Sequence, residues 1–365
     1  MKKKSNLGVL IPIIFLLLGL VGLFFAARSP WLHEQPAYAF VNGLLRDFIS
    51  ASPSQSPRRD NKIPEALTND QRYPGPLVPQ TAINLLIIGP DQSGANWDTL
   101  LIVSLDEETG ELRLINLPRD LYVDYSPAIL QRLGEASPKT LKSVPARKIN
   151  AAHLIGQRIA YREKGGRFKA PELDFTADLI EEMLQIRIDE CLLIKPSGFR
   201  NIVDHFGGVR IEVPYRMKYS DPLQNLRIDL QPGLQMLTGA QAEGFVRFRQ
   251  GTDDNGKSVS IGDVERKKNQ TAFVKAFLSQ HATVANLGQA TRLAGELNKY
   301  YETTITGAEQ YGSLAGITLS MLGKGLRQVE VPIVCEAFKK EGIYFLRFAP
   351  PTGEKNGEKK TESIR

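Results

Sequence analysis

Cysteine is scarce in this chain. Among 365 residues only Cys191 and Cys335 occur, far apart and without paired spacing, which argues against a disulfide framework and a cysteine-built zinc site. Cys191 sits in the apolar run Cys191-Leu192-Leu193-Ile194 and reads as a small buried hydrophobe. Aromatic residues make up 8% and tryptophan is limited to two positions, so aromatics give no compositional signal. No internal repeat is visible, which sets solenoids and propellers aside.

What is present is an ordinary globular composition with a cationic bias. Hydrophobic residues at 42% and charged residues at 24% allow one large core or two ordinary ones. The net charge of +6 suits an anionic partner, whether phosphate, membrane surface or nucleic acid, and does not choose among them. The N-terminus narrows the choice. Lys2, Lys3 and Lys4 precede an uncharged, mostly apolar stretch from Ser5 to Ala27 that ends at Arg28. A helix crosses the hydrocarbon core with about 20 apolar residues, and lysine clusters stay on the cytoplasmic side. The reading is a single-pass protein of the cytoplasmic membrane whose C-terminal domain is extracytoplasmic. A cleaved signal peptide is the rival, with Ala37-Tyr38-Ala39 as its site, but that triplet lies well past the apolar run. Either way the working domain is exported, which removes nucleic acid and cytosolic cofactors as partners.

Composition then divides the chain into a cytoplasmic stub and anchor (1–28), a Ser/Pro-rich linker (29–80), a folded domain (81–349) and a charged, disordered tail (350–365). Within the domain, 83–88, 99–105 and 112–117 read as strands, the last two joined by the turn Asp106 to Gly110. Leu179, Ile180, Met183 and Leu184 have helical spacing, with Asp174 as the expected cap, and 187–195 reads as a strand. A short helix capped by Ser197 stops at Gly207-Gly208, 209–213 is extended, and Thr238 to Gln241 has capping-box spacing. From Asp263 to about Thr306 helical patterns dominate, and 329–334 reads as a late strand. The expected fold class is α/β: a single α/β/α domain with a central mixed β-sheet, preceded by one N-terminal transmembrane helix.

Several polar clusters ask for more than a structural role. Asp91 ends the first strand, Asp98 begins the second, and Pro118-Arg119-Asp120 follows the third. Carboxylates converging at one sheet edge can hold a hard divalent cation, although aspartate is also a common turn former. Phe245-Val246-Arg247-Phe248-Arg249, taken as extended, puts Arg247 and Arg249 on one face, where a pyrophosphate fits between two guanidinium forks; the alternative is a solvated edge. Asp263, Arg266 and Gln270 share a helix face within about 60°, joined by Lys267, a weak signal on its own.

Together these pieces resemble the LytR-CpsA-Psr family of cell-wall glycopolymer ligases. The matching segments occur in the family's order: Asn84 to Asp91, Asp98-Thr99, Leu117 to Asp120, Lys148 to Ala151, Gly207 to Val209, Leu237 to Gln241, Val246 to Arg249, and Gly262 to Arg266 with Gln270. The resemblance covers roughly residues 82–285 and implies Mg²⁺ near Asp91 and Asp98. It also implies pyrophosphate contacts from Arg119, Arg247, Arg249, Arg266 and Gln270, with Lys148 and Asp263 lining the same site. A polyprenyl tail would fill an apolar tunnel. The implied activity is transfer of a glycan from a polyprenyl-pyrophosphate carrier to a peptidoglycan hydroxyl, with Asp98, Arg119 and Asp120 as the catalytic candidates. Two departures stand out: Asn96 replaces an arginine usual two residues before Asp98, and Asn269 replaces the second arginine of the D-x-x-R-x-x-R-Q pattern. They leave open a protein that holds or slowly hydrolyses the lipid carrier rather than transferring from it.

Overall fold

Three antiparallel strands start the sheet: β1 (Ile83–Pro90), β2 (Trp97–Asp106) and β3 (Glu111–Asn116). The computed structural model describes residues 63–350 apart from 92, 164, 223–225, 282–300, 305–316 and 318–326. The expected anchor and the tail beyond 350 lie outside the described residues. Among the described residues, no helix is long and apolar enough to cross a membrane.

The expected turn between β2 and β3 is present. The Asp106 carboxylate accepts the Glu108 amide at 3.0 Å, and Gly110 takes the positive φ of 71° that closes the loop. Four helices follow: α1 (Pro127–Ala136), α2 (Pro138–Leu141), α3 (Ala152–Arg158) and α4 (Pro171–Leu184). Pro171 opens α4 at the first turn, Glu172 and Asp174 favour its N-terminal dipole, and Gln185 ends it in the left-handed region. The helix thus starts before Asp174. That carboxylate holds the incoming loop instead, accepting the Phe168 amide at 2.9 Å and the Ala170 amide at 3.3 Å.

Strand β4 (Glu190–Ile194) runs parallel to β1, and α5 (Pro196–His205) leads into two small antiparallel ladders. These pair β5 (Val209–Val213) with β8 (Gly233–Leu237), and β6 (Met217–Asp221) with β7 (Leu226–Leu230). Then come α6 (Gly239–Arg247), the short pair β9 (Gln250–Thr252) and β10 (Ser258–Ser260), and α7 (Gly262–His281). The chain closes with β11 (Tyr301–Thr303), β12 (Arg327–Glu330) and a hairpin of β13 (Cys335–Lys340) and β14 (Ile343–Phe348). The central sheet is mixed, in the order β11-β4-β1-β2-β3-β12. Only β12 stands where 329–334 was expected.

Period-two alternation assigns the two faces of the sheet. Leu86, Ile88, Leu100, Ile102 and Ile115 point to one side, where Ile129, Leu133, Ile155, Phe175, Leu179, Ile180 and Met183 of the helices pack. Phe175 is fully enclosed there, and its truncation to alanine would cost about 3–5 kcal/mol. Ile87, Leu101, Val103, Leu112 and Leu114 face the other side, towards α5, α6 and α7. The sheet therefore lies between two helical layers. Residues 63–80, read from composition as linker, belong to the first layer: Leu67, Leu77 and Val78 are buried, and the Leu67 and Thr68 amides both donate to Glu182 at 2.8 Å. Proline prevents a regular element in this stretch but does not prevent burial.

Candidate functional site

The second sheet face does not close against its helices. Between them lies a cavity of about 440 Å³. Its interior is apolar, built from Leu101, Val103, Leu112 and Leu114 on the sheet with Phe199, Ile202, Phe273, Val274 and Phe277 on the helices. Its mouth is polar. Asp91, Asp98, Thr99, Arg119, Arg247, Arg249 and Gln270 line the cavity, as does Arg266, which is buried at 5% exposure.

Local structure explains each placement. Strands β1 and β2 slip register at Gly89/Pro90, where a Cβ on Gly89 would meet the Thr99 Cβ at 3.0 Å. Asp91 then folds into a tight turn. Its Oδ1 accepts from Ser93 Oγ at 2.7 Å and the Ala95 amide at 3.0 Å, while its Oδ2 accepts from Asn96 Nδ2 at 3.0 Å. Burial opposes ionisation of this carboxyl, but the hydrogen bonds from Asn96, Ser93 and Ala95 outweigh it and hold its pKa below the ordinary value. Asp98 accepts from Arg119 Nη1 at 2.8 Å and Asn150 Nδ2 at 3.3 Å. The turn-forming role of Asp91 and the ion-pairing role of Asp98 thus coexist at one cavity.

Arg247 and Arg249 reach the mouth by a different route from the one expected. The capping box of Thr238 and Gln241 launches α6, which continues through Arg247, and Phe248 caps it. The segment is not extended at Arg247, because Phe245 and Phe248, three residues apart, are both buried in the second core. Arg247 donates to Glu243 Oε1 one turn earlier, and Arg200 donates to Glu243 Oε2. Glu243 is 4% exposed and lines the cavity, so it fixes one arginine in the wall. Sequence reading missed it, although the Glu243–Arg247 spacing of four in a helix was a usable signal.

On α7, Arg266 and Gln270 line the cavity as expected, whereas Lys267 is not among the lining residues. The Gln270 amide accepts from Asn116 Nδ2 at 3.0 Å and donates to Thr99 Oγ1 and the Val246 carbonyl, both at 3.3 Å. It ties β2, β3 and α6 together beneath the mouth. Asp263 lies in the first turn of α7, and its side chain is outside the described residues.

Asp120 and Lys148 stand behind the mouth rather than in it. Neither lines the cavity. Lys148 Nζ donates to Asp120 Oδ1 at 2.6 Å, and Arg119 Nε lies 3.6 Å from Asp120 Oδ2. Asp120 faces Arg119, and Lys148 reaches Arg119 only through Asp120, not through the space that a ligand would fill. The two departures are tied off as well: Asn96 donates to Asp91, and Asn269 Nδ2 donates to Tyr215 Oη at 2.9 Å.

Four guanidinium groups from three segments can grip several phosphate oxygens at once, and an apolar interior behind them accepts a hydrocarbon. The family model described as the LytR_cpsA_psr family matches residues 50–359. This chain belongs to that family. It is 26% identical over 209 residues to the polyisoprenyl-teichoic acid–peptidoglycan teichoic acid transferase TagV of Bacillus subtilis, covering 57% of this chain and 44% of that protein. It is 30% identical over 252 residues to the probable cell wall biosynthesis protein LcpB of Corynebacterium glutamicum, covering 69% of this chain and 50% of that one. The chain thus spans about half the length of these two relatives. Among solved structures, protein gbs0355 from Streptococcus agalactiae shares the fold, with a TM-score of 0.52 at 17% identity over 73% of this chain and 82% of that one.

Among the described residues, no group of three or more His, Cys, Asp or Glu side chains could hold a metal ion. Mg²⁺ asks for less: one or two carboxylates, with water and substrate phosphate completing its shell. Asp91 and Asp98 line one cavity and Asp91 is held ionised, so this pair fits that modest requirement.

Proposed function

We propose that this chain is an exported, membrane-anchored phosphotransferase that moves a glycopolymer from a polyprenyl-pyrophosphate carrier to a hydroxyl of peptidoglycan. The observation that carries the reading is the convergence of Arg119, Arg247, Arg249 and Arg266 on the mouth of a cavity with an apolar interior. The names of relatives that act on polyisoprenyl-linked teichoic acid support the substrate class. The apolar stretch 5–27 behind three lysines supports a single-pass anchor with the domain outside the cell.

The chemistry is displacement at phosphorus. The acceptor hydroxyl oxygen bonds to the glycan-bearing phosphorus as the bond to the bridging oxygen breaks, and polyprenyl phosphate leaves with that oxygen. Such a reaction asks the protein for alignment and charge neutralisation. The four arginines bind the non-bridging and leaving oxygens, and the cavity holds the lipid so that the pyrophosphate sits at its mouth. Asp98, which lines the cavity, is better placed than Asp120 to take the hydroxyl proton. Mg²⁺, held by Asp91 and Asp98 with phosphate oxygens, would add neutralising charge there.

A second reading has its own observation. Asn96 and Asn269 put neutral amides, each occupied by a protein partner, where the family carries cations. That favours a protein that retains the carrier lipid or passes it to water. An in vitro assay with a lipid-pyrophosphate donor and peptidoglycan acceptor separates the readings by product. Glycan attached to the acceptor supports transfer; free phosphorylated glycan alone, or no product, sinks it.

A further inference from the structure

The C-terminal hairpin has no part in the cavity, yet it is built against the segment that carries Arg119. Arg119 and Asp120 form a turn after Pro118, and the strip 119–123 continues through bridges at Leu121 and Tyr122. On one side it pairs with 147–150: Val123 N donates to Arg147 O at 2.7 Å, Ile149 N to Leu121 O at 2.9 Å, and Asn150 N to Arg119 O at 3.3 Å. On the other side it pairs with β14, through Tyr122 N to Leu346 O at 2.7 Å and Leu346 N to Asp120 O at 2.9 Å. The hairpin is thus a backbone extension of the strip, and both flanks fix the register of Arg119.

The side chains repeat the arrangement. Phe345 is fully enclosed, and Lys148 Nζ sits 5.6 Å from the centre of its ring while donating to Asp120. Tyr122 meets Phe345 and Phe338 edge-on at 5.3 and 5.5 Å, and Lys340 donates to the Tyr122 hydroxyl at 2.7 Å. Charges alternate from this ring to the mouth: Lys148, Asp120, Arg119, Asp98. Without the lysine, Asp120 would be a buried carboxylate with Arg119 as its nearest cation. It would then draw the guanidinium away from Asp98 and from the space where a phosphate binds.

We propose that the hairpin of β13 and β14 is a brace for the mouth of the cavity, in which Phe345 and Lys148 are positioning residues that hold Asp120 off Arg119. The inference rests on the pyrophosphate reading of that mouth and assigns the hairpin to it. Phe345 offers the ring face that partly desolvated Lys148 needs in order to stay beside Asp120.

Calorimetric titration of the full chain in detergent with inorganic pyrophosphate tests this, because misfolded protein lowers the stoichiometry and leaves the Kd alone. Lys148→Met is expected to weaken the Kd about tenfold, and Phe345→Leu about threefold. Lys148→Arg, which keeps the charge, should stay near wild type. Phe348→Leu supplies the control, since Phe348 packs on Tyr73 at 5.2 Å and its loss removes packing from the same hairpin away from Phe345 and Lys148, so its Kd should not change. Wild-type Kd values in both Lys148→Met and Phe345→Leu would overturn the brace. Equal weakening in Phe348→Leu and Phe345→Leu would also overturn it, by showing a general loss of packing. Wild-type protein that fails to bind pyrophosphate would instead remove the reading of the mouth on which the brace depends.

Discussion

Replacing Arg119 by alanine separates the two jobs that this side chain can have. Its Nη1 lies 2.8 Å from Asp98, with the two side chains 17% and 32% exposed, so the pair is only partly shielded from water. Loss of such a pair costs about 1 kcal/mol of stability, a small part of the 5–15 kcal/mol typical of a domain. Removing a cation that meets developing phosphate charge costs about 3 kcal/mol of barrier, on the order of a hundredfold in rate. Arg119→Ala should therefore fall about a hundredfold in transfer of a lipid-linked glycan, with only a few degrees lost in a thermal melt. Arg119→Lys should recover part of the rate, since the charge remains but the fork does not. A variant that keeps half the wild-type rate would refute the assignment. A collapse of the melt would show the arginine to be structural, and the argument from charge would fall with it.

Other predictions follow from single features. His153 stacks on Trp97 at 4.5 Å, and burial pushes its imidazole from 6.5 down to about 4. The unfolded chain takes up this proton near pH 6.5 and the folded one only near 4, so stability should fall as pH drops through that window, by about 3 kcal/mol in denaturant titrations. His153→Phe should lose that slope, and an unchanged slope would show that another group carries it. Leu101→Trp should narrow the cavity from its sheet wall and weaken retention of polyprenyl lipid while leaving pyrophosphate binding intact; lipid retained at wild-type level would mean that the tail lies elsewhere. Thr238→Ala removes the capping box of α6 and should lower stability by about 1 kcal/mol in denaturant titrations, and no change would show the cap to be dispensable.

Much of the fold is legible because its signals are local. The strands β1 to β3, the turn at Asp106 and the capping box at Thr238 each announce themselves within a few residues. The stretch from Phe245 to Arg249 shows the limit. Alternation of phenylalanine, valine and arginine reads as a strand, but the cap upstream and the core contacts of Phe245 and Phe248 impose a helix up to Arg247. The hairpin of β13 and β14 was missed for a related reason. Its two-residue turn is Glu341-Gly342, both with positive φ, and glutamate is a poor advertisement for that geometry. The site divides in the same way. Residue types and order pointed to Arg119, Arg247, Arg249, Arg266 and Gln270, and the structure brings all five to the lining of one cavity. The retreat of Asp120 and Lys148 behind Arg119, and the burial of Glu243 in the wall, depend on tertiary pairing that spacing does not encode.

Native mass spectrometry of the full chain, purified from membranes of an expressing bacterium, tests the central claim most directly. The account predicts a bound species with the mass of a polyprenyl phosphate or pyrophosphate, weakened in Leu101→Trp and in Arg247→Ala. Wild-type protein that emerges empty and takes up no added polyprenyl pyrophosphate would contradict it.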